Sequence, residues 1–144
     1  MAVEHHRKLE TMYLRAPINR LYLPAIEIAE GTARIAIDVE PRFFHAANAL
    51  HGSVYFKMLD DASFFAVSSL VEDVFVLTTS FTTYMTRPAT SGRITANGRV
   101  VHSGKNLFLA EAELAGADGK SIGRGNGAFM KSRTPLGPEI GYML

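Results

Sequence analysis

The stretch that most constrains the fold is His51–Val71, which reads HGSVYFKMLDDASFFAVSSLV. Apolar residues occupy most of its helical circumference, which predicts one long helix that other elements cover on nearly every side. Asp60 and Asp61, in its middle, are the only acids between Glu40 and Glu72. Because an unpaired carboxylate is costly to bury, the pair indicates either a functional site or a solvated stripe on one face of the helix.

Segments with strand character lie on both sides of this helix. Alternating apolar and polar residues predict a two-stranded hairpin before it, and segments rich in Val, Thr, Phe and Tyr predict four strands after it. Residues 1–20 predict an amphipathic N-terminal helix with His5 and His6 exposed, and residues 132–144 predict an irregular tail. The predicted strands are Pro24–Ala29, Thr32–Glu40, Val74–Arg87, Gly92–Ser103, Asn106–Ala115 and Lys120–Lys131.

The lengths of these elements predict how they assemble. Strands of about ten residues span roughly 33 Å, and a helix of about twenty residues spans roughly 30 Å. Such matched lengths favour one sheet that curls around one helix. We therefore expect residues 1–144 to form a single domain of the α+β class, an antiparallel β-sheet wrapped around a long central helix.

Composition narrows the function classes. The chain has 15 Lys and Arg against 14 Asp and Glu, and a net charge of +1 draws it neither to nucleic acid nor to a membrane surface. The absence of cysteine excludes disulfide scaffolds, thiolate zinc sites and cysteine nucleophiles. The uncharged run Ala62–Val71 is far shorter than the roughly 20 residues that span a bilayer, and the charged start MAVEHHRKLE is unlike a signal peptide. We expect a cytoplasmic protein.

Two motifs connect the central helix with a known family. The helix opens with His-Gly-Ser at 51–53, and Asp60 follows His51 in the pattern HGSxxFxxLDxA. The segment Thr78–Ala89, TTSFTTYMTRPA, ends in Arg-Pro-Ala. Together with the order of the elements, these motifs resemble the hotdog-fold acyl-CoA thioesterases, in particular the phenylacetate-pathway type. The resemblance covers most of the chain and implies the hotdog fold.

The same resemblance implies catalytic roles. A thioester carbonyl would lie at the helix start, where the Gly52 N–H stabilises the developing oxyanion and His51 orients this end of the site. Asp60 would act either as a general base on water or as a nucleophile that forms a mixed anhydride, and both alternatives stay open. Thr78 would hold the attacking water by a hydrogen bond.

The surroundings of Asp60 raise two further questions. Adjacent helical residues point about 100° apart, so only one of the two acids faces a given site, and Lys57 can pair with either. We assign Asp60 to the chemistry and expect Asp61 to be a solvated partner of Lys57. Six aromatic residues of this loop and helix either line an acyl pocket or fill the core: Phe43, Phe44, Tyr55, Phe56, Phe64 and Phe65.

The chain departs from the family pattern at two places near the predicted substrate. Ser53 stands where the family has a second glycine, and His45 stands where the family has an asparagine. A neutral His45 can still donate one hydrogen bond to the carbonyl, and Asn48 is a nearby substitute. Related thioesterases bind the phosphates of CoA with surface cations, for which Arg is well matched. The candidate cations here are Arg87, Lys105 and Arg124.

The leading prediction is an acyl-CoA thioesterase that acts on a medium-chain or aromatic acyl group. No pair of His and acidic residues has the spacing of metal ligands, and the resemblance implies neither a metal nor a separate cofactor, since coenzyme A enters as part of the substrate. Two alternatives stay open, a hotdog-type hydratase or dehydratase of acyl thioesters and a non-catalytic acyl-CoA-binding domain. The resemblance also implies a homodimer, often paired into a tetramer, in which the helix start of one subunit and the acid of its neighbour share a site.

Overall fold

One long helix packs against a six-stranded antiparallel sheet in the computed structural model, which describes residues 2–144. In chain order the elements are α1 (Ala2–Arg15), α2 (Asn19–Tyr22), β1 (Ala25–Ala29), β2 (Thr32–Asp38), α3 (Gly52–Ser68), β3 (Val74–Met85), β4 (Arg93–Ser103), β5 (Leu107–Ala115) and β6 (Ser121–Pro135). Short 3₁₀ turns lie at Pro41–Phe43 and Pro138–Ile140. The strands are hydrogen-bonded in the order β1-β2-β4-β5-β6-β3. The predicted α+β architecture is confirmed.

The core lies in the seam between α3 and the sheet. Four residues of the helix, Met58, Leu59, Ala62 and Ala66, are fully buried there. The helix and sheet backbones approach each other closely at Gly98, where a Cβ would stand 2.3 Å from the carbonyl oxygen of Ala62. Each large apolar side chain buried in such a seam stabilises the fold by about 1.5–3 kcal/mol, so the seam fixes where α3 stands on the sheet. The strands contribute alternate residues, chiefly Ile35, Ile37, Ile94, Ala96, Leu114 and Phe129.

Helix α3 ends at Ser68, three residues before the predicted end at Val71. The Ser69 hydroxyl donates to the carbonyl of Ala66 at 2.6 Å and accepts from the N–H of Gly31 at 2.8 Å. These side-chain hydrogen bonds compete with the backbone hydrogen bonds that would continue the helix, and they connect the helix end to the β1–β2 turn. None of the helices in residues 2–144 combines the length and the apolar character that a membrane crossing requires.

The C-terminal tail is more regular than predicted. Strand β6 continues past Lys131 to Pro135, because β3 offers a partner along this length and the hydroxyl of Ser132 donates to the carbonyl of Phe75. The 3₁₀ turn at Pro138–Ile140 follows. The prediction of an irregular tail over residues 132–144 is therefore wrong for its first residues, and the turn packs beside the core.

The prediction that His5 and His6 are exposed is also wrong. Their side chains are 3% and 6% exposed, because α1 packs against β1 and the chain end covers its side. His5 is hydrogen-bonded through Nε2 to the carbonyl of Ser68 at 2.9 Å and through Nδ1 to the hydroxyl of Tyr142 at 2.7 Å. Burial lowers the pKa of His5 below its ordinary value. His102 is exposed.

Candidate active site

Asp60 lies in the middle of α3 and is partly buried. The hydroxyl of Thr78 on β3 donates to Asp60 Oδ1 at 2.9 Å, so the two residues that the resemblance pairs are in contact. Burial raises the pKa of Asp60 to about 6, with a smaller upward contribution from the negative charge of Asp61. The hydrogen bond from Thr78 and the positive charge of Lys57 act in the opposite direction. The result is a carboxylate poised to gain and lose a proton near neutral pH.

A cavity of about 720 Å³ opens beside Asp60. Its walls come from the α1–α2 region, from α3, from β3 and from the 3₁₀ turn near the C-terminus. Most of the lining is apolar or aromatic, with a few polar groups, which is typical of a site for a small organic ligand. Its principal lining residues are Met12, Tyr13, Asn19, Lys57, Asp60, Asp61, Phe64, Phe65, Phe75, Leu77, Thr78 and Ile140.

The six aromatic residues take different places, and Phe56 fills neither of the two roles left open above. Phe64 and Phe65 line the cavity, and Phe65 also packs edge-on against Tyr13, which the sequence did not connect with this site. Phe43 and Tyr55 are buried in the core, Phe44 is half-buried, and Phe56 is exposed and contacts Phe81. Only part of the aromatic cluster is therefore available to an acyl group.

Asp61 points away from Thr78 and is held by two other groups. Its Oδ2 accepts from the hydroxyl of Tyr13 at 2.7 Å and from the ammonium of Lys57 at 2.5 Å. Only 12% of the Lys57 side chain and 19% of the Asp61 side chain are exposed. Lys57 does pair with Asp61, but the expectation of a solvated pair is wrong, because Tyr13 of α1 covers the two charged groups.

The start of α3 is organised by His51. Its Nδ1 accepts from the N–H of Ser53 at 3.0 Å and lies 2.8 Å from the Ser53 hydroxyl, so His51 caps the helix. Because a backbone N–H can only donate, Nδ1 is unprotonated and the neutral ring carries its proton on Nε2. The Gly52 N–H has no acceptor within the helix. A Cβ on Gly52 would lie 2.9 Å from Met85, so glycine permits this close packing of helix and strand.

A smaller cavity of about 290 Å³ lies at this helix start. His45, Gly52, Tyr55 and Arg87 are among the residues that line it. The Nδ1 of His45 accepts from the N–H of Ala47 at 3.0 Å, so the neutral His45 ring also carries its proton on Nε2 and has a donor to offer.

Two other predicted substrate contacts, Asn48 in the loop and Ser53 in the first turn of α3, lie outside the smaller cavity. Asn48 is exposed in the same loop, with a φ of 62° that asparagine tolerates better than most residues. Ser53 is exposed and contacts His51 instead. Of the loop residues, His45 is therefore the one that the fold brings beside Gly52.

The candidate phosphate ligands occupy three separate places. Arg87 lies at the end of β3, lines the smaller cavity and stands 4.0 Å from the carboxylate of Asp118. Arg124 pairs with Glu113 across β5 and β6 on an exposed face of the sheet. Lys105 is exposed in the β4–β5 turn. Arg87 is thus the cation that the fold brings to the helix start.

The two cavities are separate within one chain. From Gly52 to Asp60 the helix advances eight residues, or about 12 Å. The two sets of lining residues share no member. A carbonyl polarised at Gly52 is therefore out of reach of Asp60 in the same chain.

Comparison with known proteins agrees with this fold. The sequence profile described as the thioesterase superfamily matches residues 47–122, which are 76 of the 144 residues. A candidate esterase of Saccharolobus solfataricus is 24% identical over 116 residues, which cover 81% of this chain and 83% of that protein.

Two solved structures show the same fold at low sequence identity. The E. coli PaaI protein from the phenylacetic acid degradation operon superposes with a TM-score of 0.84 at 20% identity, covering 93% of this chain and 97% of that one. A thioesterase family protein from Silicibacter pomeroyi gives a TM-score of 0.80 at 23% identity, covering 88% and 96%. Because the family profile spans more than half of the sequence and the fold agrees, this chain belongs to the thioesterase superfamily, whose members hydrolyse thioesters.

Proposed function

We propose that this chain hydrolyses acyl-CoA thioesters that carry a medium-chain or aromatic acyl group. The observation that supports this most is the Asp60 carboxylate, held by Thr78 at the wall of a largely apolar cavity of about 720 Å³. Cavities of roughly 300–1,000 Å³ are the usual size for small organic ligands. Phe64, Phe65 and Phe75 offer aromatic surface to the acyl group.

In the proposed reaction Asp60 acts in its ionised form. As a general base it takes a proton from water while the hydroxide attacks the carbonyl carbon, and the C–S bond breaks to release the CoA thiolate. As a nucleophile it attacks the carbonyl itself, releases the thiolate and leaves a mixed anhydride that water hydrolyses. The carbonyl oxygen is stabilised in either case by the Gly52 N–H and by the proton on His45 Nε2.

The complete site requires a second subunit, because one chain keeps Gly52 and Asp60 about 12 Å apart. Strand β3 is at the edge of the sheet and offers an unpaired backbone to another copy. If two β3 strands pair antiparallel about a two-fold axis, the Thr78 end of one lies near the Met85 end of the other. Asp60 of one subunit then meets the helix start of its neighbour. We propose this homodimer, with a tetramer formed by pairing of dimers.

Recognition of coenzyme A is proposed to rest mainly on Arg87, which stands beside the helix start of the composite site. Its planar guanidinium suits a phosphate. Lys105 and Arg124 line neither cavity and are proposed as weaker contacts; Arg124 is moreover paired with Glu113. Coenzyme A is part of the substrate in this proposal, no further cofactor is needed, and the expected compartment is the cytoplasm.

A turnover assay on a panel of acyl-CoA esters tests the proposal. We expect hydrolysis by the wild type and a loss of at least 100-fold in kcat for Asp60→Asn, because general-base or nucleophilic catalysis is worth that much or more. Asp73→Asn, which removes an exposed carboxylate paired with Lys131, is the matched control and should leave the rate unchanged.

Two outcomes would contradict the proposed enzyme. Full activity of Asp60→Asn would remove Asp60 from the chemistry. Tight binding of CoA esters without hydrolysis over a long incubation would favour the non-catalytic binding domain, for which His45 in place of the family asparagine is the supporting observation.

A further inference from the structure

The side chains of Tyr13, Lys57 and Asp61 form a cluster beside Asp60, whose own hydrogen bond goes to Thr78. Tyr13 and Lys57 both contact Asp61 Oδ2, and the Lys57 ammonium lies 3.4 Å from the Tyr13 hydroxyl. The same ammonium stands 5.1 Å from the ring centres of Tyr13 and Tyr22. All three polar groups of the cluster thus satisfy one another in a partly buried position.

The cluster matters to Asp60 because two carboxylates line one cavity. A negative charge on Asp61 disfavours ionisation of its neighbour, and low solvent exposure weakens the screening between them. Asp60 itself is hydrogen-bonded by a neutral hydroxyl, that of Thr78. Among the described residues that line the cavity, the other charged groups are Arg15 and Glu139, and both are exposed. Lys57 is therefore the cation placed to compensate the acid pair.

We propose that Lys57 and Tyr13 are positioning residues of the Asp60 site: they hold the Asp61 carboxylate in an ion pair and so keep its charge from opposing the ionisation of Asp60. The catalytic consequence rests on the proposed function, because a protonated Asp60 can neither accept a proton from water nor attack a carbonyl. The electrostatic part concerns the folded chain alone. Tyr13 orients the carboxylate, and Lys57 supplies the compensating charge.

Opposite shifts in two variants test the inference. The Asp60 side-chain carboxyl is followed by ¹³C NMR across pH, with its signal assigned from Asp60→Asn, and the acid limb of kcat/KM is measured alongside. For Lys57→Met we expect the Asp60 titration to move up by about one pH unit, because Asp61 is left uncompensated. For Asp61→Asn we expect a downward shift of similar size, because the Lys57 charge is left to favour the carboxylate.

The double variant Lys57→Met/Asp61→Asn removes both charges, and its titration should fall between those of the single variants. Lys57→Arg keeps the charge and should stay within about 0.3 pH unit of wild type. Lys131→Met removes an exposed ion pair with Asp73 that does not line the cavity, and it is the matched control, for which no shift is expected. A residue with a merely structural role would lower activity without moving these titrations in opposite directions.

The inference is overturned if Lys57→Met titrates like Lys57→Arg, or if Asp61→Asn leaves the Asp60 titration in place. Should Lys57→Met fail to fold, the near-isosteric Asp61→Asn still decides the question. A wild type that titrates as expected but hydrolyses no acyl-CoA would refute the proposed function and leave the electrostatic inference standing.

Discussion

Thr78 Oγ1 donates a hydrogen bond of 2.9 Å to Asp60 Oδ1 and so links edge strand β3 to the middle of helix α3. Thr78 is paired across the sheet with Phe129, which is fully buried, so Thr78 lies on the face of the sheet that covers the helix. A β-bulge follows directly, because Ser80 is paired with Ala128 and Thr79 is left as an extra residue. A hydroxyl on an edge strand thereby becomes part of the proposed catalytic unit.

Loss of this hydrogen bond should impair the activity and move its pH profile. Thr78→Val keeps the shape but removes the donor that lowers the pKa of Asp60, so the acid limb of kcat/KM should move to higher pH. We expect a fall of about 10-fold to 100-fold at pH 7, the scale of a hydrogen bond to a charged group. Thr78→Ser should retain most of the activity, and Thr32→Val, at an exposed threonine of β2, should behave as wild type. Equal profiles for Thr78→Val and wild type would count against this role.

Asp60 should make the protein less stable at neutral pH than it would be with a neutral side chain. Its folded pKa of about 6 lies above the ordinary value of 3.8, so the native state holds the proton more tightly. Stability contributed by the protonated form is present below about pH 4 and is lost as pH rises through about 6.

Asp60→Asn should therefore raise the free energy of unfolding by about 1–2 kcal/mol at pH 7, after allowance for the solvent exposure of the site. The gain should vanish near pH 4, where the wild-type group is already neutral. Urea denaturation of both proteins between pH 4 and 8 measures this. If the difference in free energy of unfolding between the two proteins did not change with pH, the raised pKa of Asp60 would be contradicted.

Adding a methyl group at the helix start should reduce hydrolysis while leaving the fold intact. In Gly52→Ala the new Cβ would stand 2.9 Å from the end of the Met85 side chain, which is flexible enough to move. We expect kcat to fall about tenfold because the methyl group also crowds the proposed carbonyl position. Gly52→Ala/Met85→Ala relieves the packing conflict alone. Recovery of full activity in this double variant would show that packing was the whole effect.

Two inactive variants should complement each other if the site is shared between subunits. Asp60→Asn lacks the acid, and Gly52→Val lacks access to the helix start. In a mixed dimer one site carries both defects and the other carries neither, so the purified mixed dimer should show about half of the wild-type activity, and an unfractionated random mixture about a quarter. Co-expression with two tags and purification of the mixed dimer measures this. A site contained in one chain would give no recovery.

The fold and the position of Asp60 could be predicted from the sequence because both rest on local patterns. Apolar residues around most of the circumference of residues 52–68 indicate a covered helix, and alternation in the flanking segments indicates strands. The start of the helix was equally readable, because His-Gly-Ser ends the preceding loop and His51 supplies the capping atom. The end of the helix could not be predicted in the same way, because it depends on the hydrogen bond that Ser69 accepts from Gly31, a residue distant in sequence.

Tertiary structure alone decided how the acids are used. The pattern along α3 left Lys57 free to pair with either acid, and the choice of Asp61 follows from Tyr13, which lies 48 residues away in sequence. His5 is buried for the same kind of reason, by Tyr142 near the opposite end of the chain. Periodicity specifies which face of an element is apolar, because it is set within a few residues. Which charged residues meet on that face is set by packing between elements that are distant in sequence. Local sequence patterns therefore do not predict it.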